Sequence, residues 1–158
     1  MTLRSLAPTT SQTSDARLMV SPDNGVTWLA WDGMPRPGQK WYALHRPAAN
    51  TQATVTIPAP GAALALVCEA LTVTLVAGAS APSAVTAQVS LINGASGGTD
   101  YRWGTTLGIP AVAGATNGAS TKGDWWASEN TALTCEFSAA AGANTLESVT
   151  LHGRVAII

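Results

Sequence analysis

Residues 63–78, ALALVCEALTVTLVAG, decide the fold class. Leu64 and Leu66 fall on one parity, and Leu71, Val73 and Leu75 fall on the other. An apolar residue at every second position is the period of a half-buried strand. The change of side near Glu69 is what a β-bulge, or a strand passing from one sheet to another, produces. This is also the most apolar stretch of the chain, but Glu69, Thr72 and Thr74 interrupt it and Gly and Pro turns bound it. It reads as strand and not as a membrane span.

The same period spreads outward. Residues 80–92, SAPSAVTAQVSLI, set Val85, Ala87, Val89 and Leu91 against Thr86, Gln88 and Ser90. They predict a second long strand, paired with its predecessor through the turn at 77–84. Upstream, 51–58 (TQATVTIP) alternate Ala53, Val55 and Ile57 with polar residues, and 41–45 (WYALH) make a shorter segment. Downstream, 93–98 (NGASGG) are a turn, 99–109 (TDYRWGTTLGI) a strand, and 110–124 (PAVAGATNGASTKGD) a long small-residue loop. Residues 131–138 (TALTCEFS) alternate Leu133, Cys135 and Phe137 with Thr134 and Glu136; 146–158 (LESVTLHGRVAII) form a last strand whose VAII end is expected at a sheet edge. No segment carries the period and caps of an amphipathic helix.

The fold class is therefore all-β: a jelly-roll-like β-sandwich of about eight antiparallel strands with an extended N-terminal arm. Residues 1–17, polar and without an apolar period, are the arm. Residues 18–158 are the sandwich domain, with a hairpin and connecting segments over 18–60 and the main strands over 61–158. In the hairpin, 17–21 (RLMVS) and 26–31 (VTWLAW) flank a tight turn at Asn24-Gly25, the dipeptide that best tolerates positive φ.

That turn lies in SPDNGVTW, residues 21–28, which resembles the Asp-box hairpin of sialidase propellers. A propeller needs at least four blades of four strands, more than 158 residues supply. Ser21, Asp23, Asn24, Gly25 and Trp28 are accordingly read as a structural turn, in which Asp23 accepts backbone hydrogen bonds and Trp28 packs across the hairpin.

Composition narrows the function. Charged residues are 11% of the chain, against about a quarter in an average protein. The net charge is −1 and no run of Lys or Arg stands out, which disfavours nucleic acid and anionic membranes as partners. The start of the chain lacks the apolar core of a signal peptide. His45 and His152 lie in no metal-ligand pattern, and the acids are scattered singly, so no catalytic, metal or cofactor site is expected. Cys68 and Cys135 are read as two buried thiols, with one bridge across the sandwich as the alternative. Six Trp against one Phe is unusual. Trp103, Trp125 and Trp126 are the candidates for interface or glycan contact, and the adjacent pair 125–126 must face opposite ways on a strand.

Three stretches carry a family resemblance: Leu91 to Thr99 (LINGASGGT), Asn130 to Ala140 (NTALTCEFSAA) and Glu147 to Gly153 (ESVTLHG). Together they resemble a β-domain of tailed-bacteriophage structural proteins. The resemblance implies a non-enzymatic virion component, assembled in the host bacterial cytoplasm, of the capsid decoration or head or tail accessory type. Its expected partners are the major capsid protein or other virion proteins and further copies of itself, with a trimer favoured. The alternative is a glycan-binding or host-recognition module of a phage tail.

Overall fold

The structure is a computed structural model that describes residues 3–4, 19–20, 29–30, 36–79, 84–142 and 144–158. Three two-residue strands, β1 (Leu3–Arg4), β2 (Met19–Val20) and β3 (Leu29–Ala30), form a small sheet in the order β1-β2-β3. Met19 pairs with Ala30 and Val20 with Leu29, the register of an antiparallel hairpin. The turn residues Ser21, Asp23, Asn24, Gly25 and Trp28 lie outside the described residues. So does the arm expected over 1–17, apart from Leu3–Arg4, which pairs with β2.

Eight longer strands follow: β4 (Lys40–His45), β5 (Thr54–Ile57), β6 (Leu64–Ala77), β7 (Val85–Asn93), β8 (Tyr101–Ile109), β9 (Thr116–Trp126), β10 (Leu133–Phe137) and β11 (Thr145–Ile157). They form two four-stranded antiparallel sheets, β5-β10-β7-β8 and β4-β11-β6-β9. The described residues contain no helix. One apolar core takes side chains from both sheets, as in a β-sandwich: Leu71 and Leu75 of β6 and Leu151 of β11 from one, Leu91 of β7 and Leu133 and Phe137 of β10 from the other. Each of these six is fully buried, so the alternation that produced them is a core face.

The parity change in β6 is a bulge. The register slips between Cys68 and Ala70 against β9, and between His152 and Gly153 against β11. The extra residue returns Leu66 and Cys68 to the same core as Leu71, Val73 and Leu75, so β6 stays in one sheet. Cys68 and Cys135 are both buried and unbridged. Burial pushes the Cys68 thiol up to about 12 and raises Cys135 as well.

Three expectations are corrected. β6 and β7 are not a hairpin: β6 is flanked by β11 and β9, and β7 by β10 and β8, so the connection after Ala77 crosses between sheets. Most of the loop expected over 110–124 is strand, since β9 pairs with β6 from Val67↔Trp126 to Val76↔Thr116. Backbone hydrogen bonds hold an edge strand without an apolar period, and none of β9 is fully buried. Lastly, the VAII end does not belong to an edge strand, although β4 pairs with β11 only from Val149 to Arg154 and leaves Ala156 and Ile157 paired on the β6 side alone. β11 lies between β4 and β6, with Val155, Ala156 and Ile157 paired to Leu66, Ala65 and Leu64.

Candidate functional site

Two carboxylates that look like isolated acids in the sequence are anchors for loops. Glu136 lies on the outer side of β10, where strand alternation would expose it. The loop after β7 folds over it, so Glu136 is 6% exposed. Its carboxylate accepts from the Ser96 hydroxyl and, at 2.9 Å, from the Gly97 amide. Beside it Thr134 Oγ1 donates to the Gly94 carbonyl at 2.7 Å. The loop comes so close that a Cβ on Gly98 would meet Ile92 Cγ2 at 2.9 Å, which is why glycine stands there. Glu147 points inward at the other end of β11 and accepts from the amides of Ala53 (2.7 Å) and Ala141 (2.6 Å). Burial raises its pKa above the ordinary value, and the two amides oppose that shift. Glu136, Ser96, Gly97 and Glu147 all fall within the three stretches that carry the family resemblance.

The candidate tryptophans separate into two groups. Trp103 of β8 and Trp125 of β9 face the interior at the edge where these strands meet. Their ring centroids are 6.5 Å apart at 61°, edge to face, and both are half-buried. Trp126 faces the other way, as adjacent strand residues must, and is 40% exposed on the outside of its sheet.

That outer surface is charged at one end. Glu69, presented by the β6 bulge, accepts from Lys40 Nζ of β4 (2.7 and 2.8 Å) and from Arg154 of β11. Arg154 also reaches Asp124 of β9 at 3.3 Å and lies 6.0 Å from the Trp126 ring centroid. Lys40 first and Arg154 second hold the Glu69 carboxyl below its ordinary pKa. Next to this network, Tyr42 and His152 meet edge to face at 4.7 Å. His45 is used differently: its Nδ1 accepts from the Thr54 amide at 3.0 Å, joining β4 to β5.

The outer face of the other sheet is uncharged across β7 and β8. Thr86, Gln88 and Ser90 of β7 stand opposite Gly108, Thr106 and Gly104 of β8. A register slip between Leu91 and Ile92 then sets Ile92 opposite Tyr101 and brings the tyrosine onto the same face. Gly104 has no side chain, so the surface dips between Tyr101, Gln88 and Thr106. The result is an open groove of ≈ 360 Å³ lined by Gln88, Ser90, Tyr101, Trp103, Gly104, Thr105 and Thr106. Tyr101 is 59% exposed along it. Of the three tryptophans named from the sequence, Trp103 is among the groove's lining residues, but Tyr101 and Gln88 were not named, and Gly104 and Gly108 alternating around Thr106 was the available signal.

No family model matches the chain, and no curated protein matches it in sequence.

Proposed function

We propose that the chain is a structural protein of a tailed-bacteriophage virion: a non-enzymatic capsid decoration protein that binds the assembled head shell as a homo-oligomer, most simply a trimer. The observation that carries this reading is the nesting of the eight strands. β4 pairs with β11, β5 with β10, β6 with β9 and β7 with β8. First with last and second with next-to-last is one long hairpin rolled over on itself, and on that ground we infer a jelly roll, an architecture of viral capsid and lectin domains.

One further feature supports it. The resemblance to phage structural β-domains rests on stretches that contain Glu136 with its Ser96–Gly97 partners and Glu147. These residues hold two loops against the sandwich, so the likeness falls on parts that shape the domain. Adding the purified protein to expanded, undecorated capsids should give stoichiometric binding and a more heat-resistant shell; protein that stays free overturns the proposal. The tail-module alternative draws on the same architecture, and absence of shell binding alongside binding to host cells would select it.

A further inference from the structure

We propose that the groove on the outer face of β7 and β8 is a binding site for a neutral saccharide, with Tyr101 as its stacking platform. A sugar ring presents two kinds of surface: an axial C–H face that packs on an aromatic ring, and a rim of hydroxyls that both donate and accept hydrogen bonds. The groove supplies a counterpart to each. Tyr101 is the exposed one of the two aromatic residues that line the groove, at 59%, whereas Trp103 is half-buried. Opposite it are an amide, Gln88, which can donate and accept toward neighbouring hydroxyls, and the hydroxyls of Ser90 and Thr106.

Three observations narrow the ligand class. First, no described residue hydrogen-bonds to the side chains of Gln88, Ser90 or Thr106; Gln88 and Thr106 are exposed to a ligand, and Ser90, 8% exposed, lies at the groove's floor. Second, Gly104 forms the floor. A Cβ there would stand in ordinary contact, 3.4 Å from the Val89 carbonyl and 3.9 Å from Ser90 Oγ, and would raise that floor. Third, the lining carries no charge, and the guanidinium of neighbouring Arg102 is turned to Asp100 at 3.1 Å. Sialic acids, uronic acids and phosphorylated sugars would find no cation among the lining residues, and would reach Arg102 only at the expense of its pair with Asp100; a hexose or an N-acetylhexosamine needs none. An open groove of ≈ 360 Å³ holds a short glycan end and not a long chain. The site depends on the groove alone and does not require attachment to a shell.

Saturation-transfer NMR on the full chain tests it, with methyl glycosides of glucose, galactose, mannose and N-acetylglucosamine at millimolar concentration. Transfer to the ring protons of at least one is expected. Tyr101→Ala and Gln88→Ala should each weaken that binding by about tenfold while circular dichroism stays native, and Trp126→Ala should leave it unchanged. Tyr101 and Gln88 are both exposed, so neither variant threatens the core. No transfer from any of the four sugars, or undiminished transfer in Tyr101→Ala, overturns the assignment. So does loss of shell binding in Tyr101→Ala without any sugar signal, which would make the groove a protein-docking surface.

Discussion

Gly153 of β11 lies against the ring of its register partner Trp41 on β4: a Cβ at position 153 would fall within that ring and onto the Val67 carbonyl. Backbone stands on one side and a buried indole on the other, so neither can move aside cheaply. Gly153→Ala is expected to cost about 3 kcal/mol, the upper range for overpacking a core. Trp41 Nε1 is buried without a hydrogen-bond partner among the described residues. Trp41→Phe should therefore cost only about 1 kcal/mol, because lost ring volume is partly offset by removing an unpaired donor. Urea denaturation of the two single variants measures both.

Glu147 and Glu69 predict opposite pH dependences. Glu147 titrates above the ordinary 4.5 because it is buried. A raised folded-state value contributes stability that is complete below the ordinary range and lost as pH rises through the folded value. Glu69 is held below 4.5 by Lys40 and Arg154, so its contribution is present above the ordinary range and lost as pH falls through the depressed value. Urea melts from about pH 3 to about pH 8 should show the loss on the neutral side flattened in Glu147→Gln and the loss on the acid side flattened in Glu69→Gln. Glu147→Gln should carry in addition a pH-independent cost of about 1–2 kcal/mol, since its NH2 confronts one of two backbone donors.

Removing the Glu136 carboxylate should release the loop that covers it. Glu136→Ala leaves the Ser96 hydroxyl and the Gly97 amide without their acceptor, at an expected cost of about 2 kcal/mol. Limited proteolysis read by mass spectrometry should then find new cuts within 94–100 while the strands stay intact. A pattern identical to the parent's would mean that Ile92 and Gly98 alone hold the loop.

The Trp103–Trp125 pair should couple. A double-mutant cycle with Ala at both positions is expected to give about 1 kcal/mol of interaction beyond the single losses, as for other edge-to-face rings. Trp126→Ala, at an exposed position, should change stability by no more than about 0.5 kcal/mol. Any effect of Trp126 on capsid binding then reports the surface and not the fold.

Legibility followed the chemistry of each strand. β7 and β10 were readable because one side meets the core and the other starts polar, and the β6 bulge was readable because an apolar strand betrays a change of parity. β9 was hidden: Thr116, Gly118, Ser120 and Lys122 are held by backbone pairing, which leaves no trace in side-chain pattern. The partners of β6 and β7 were misjudged because alternation identifies a strand but not its neighbour. The two anchoring acids were invisible for a related reason, since Glu136 is covered by a distant loop and Glu147 is buried by partners at positions 53 and 141. Of the candidate tryptophans, the opposite facing of 125 and 126 followed from strand geometry, whereas the meeting of 103 with 125 depends on the edge strand that was missed. Tyr101 reaches the groove only through the register slip beside Leu91.

The nested pairing also dictates when this protein can fold during its synthesis. Among the described strands β4 has no sheet partner except β11, and β6 needs β11 to close one of its two sides. More than a hundred residues must be made before residues 145–157 arrive to seat the first long strand. Until then the apolar face of 63–78 is without its central neighbour, the kind of exposure that favours aggregation. Of the eight longer strands, a ribosome-bound chain that stops short of residue 145 should therefore hold at most the β5-β10-β7-β8 sheet and the β6–β9 pairing, and β4 should join the second sheet only when β11 arrives.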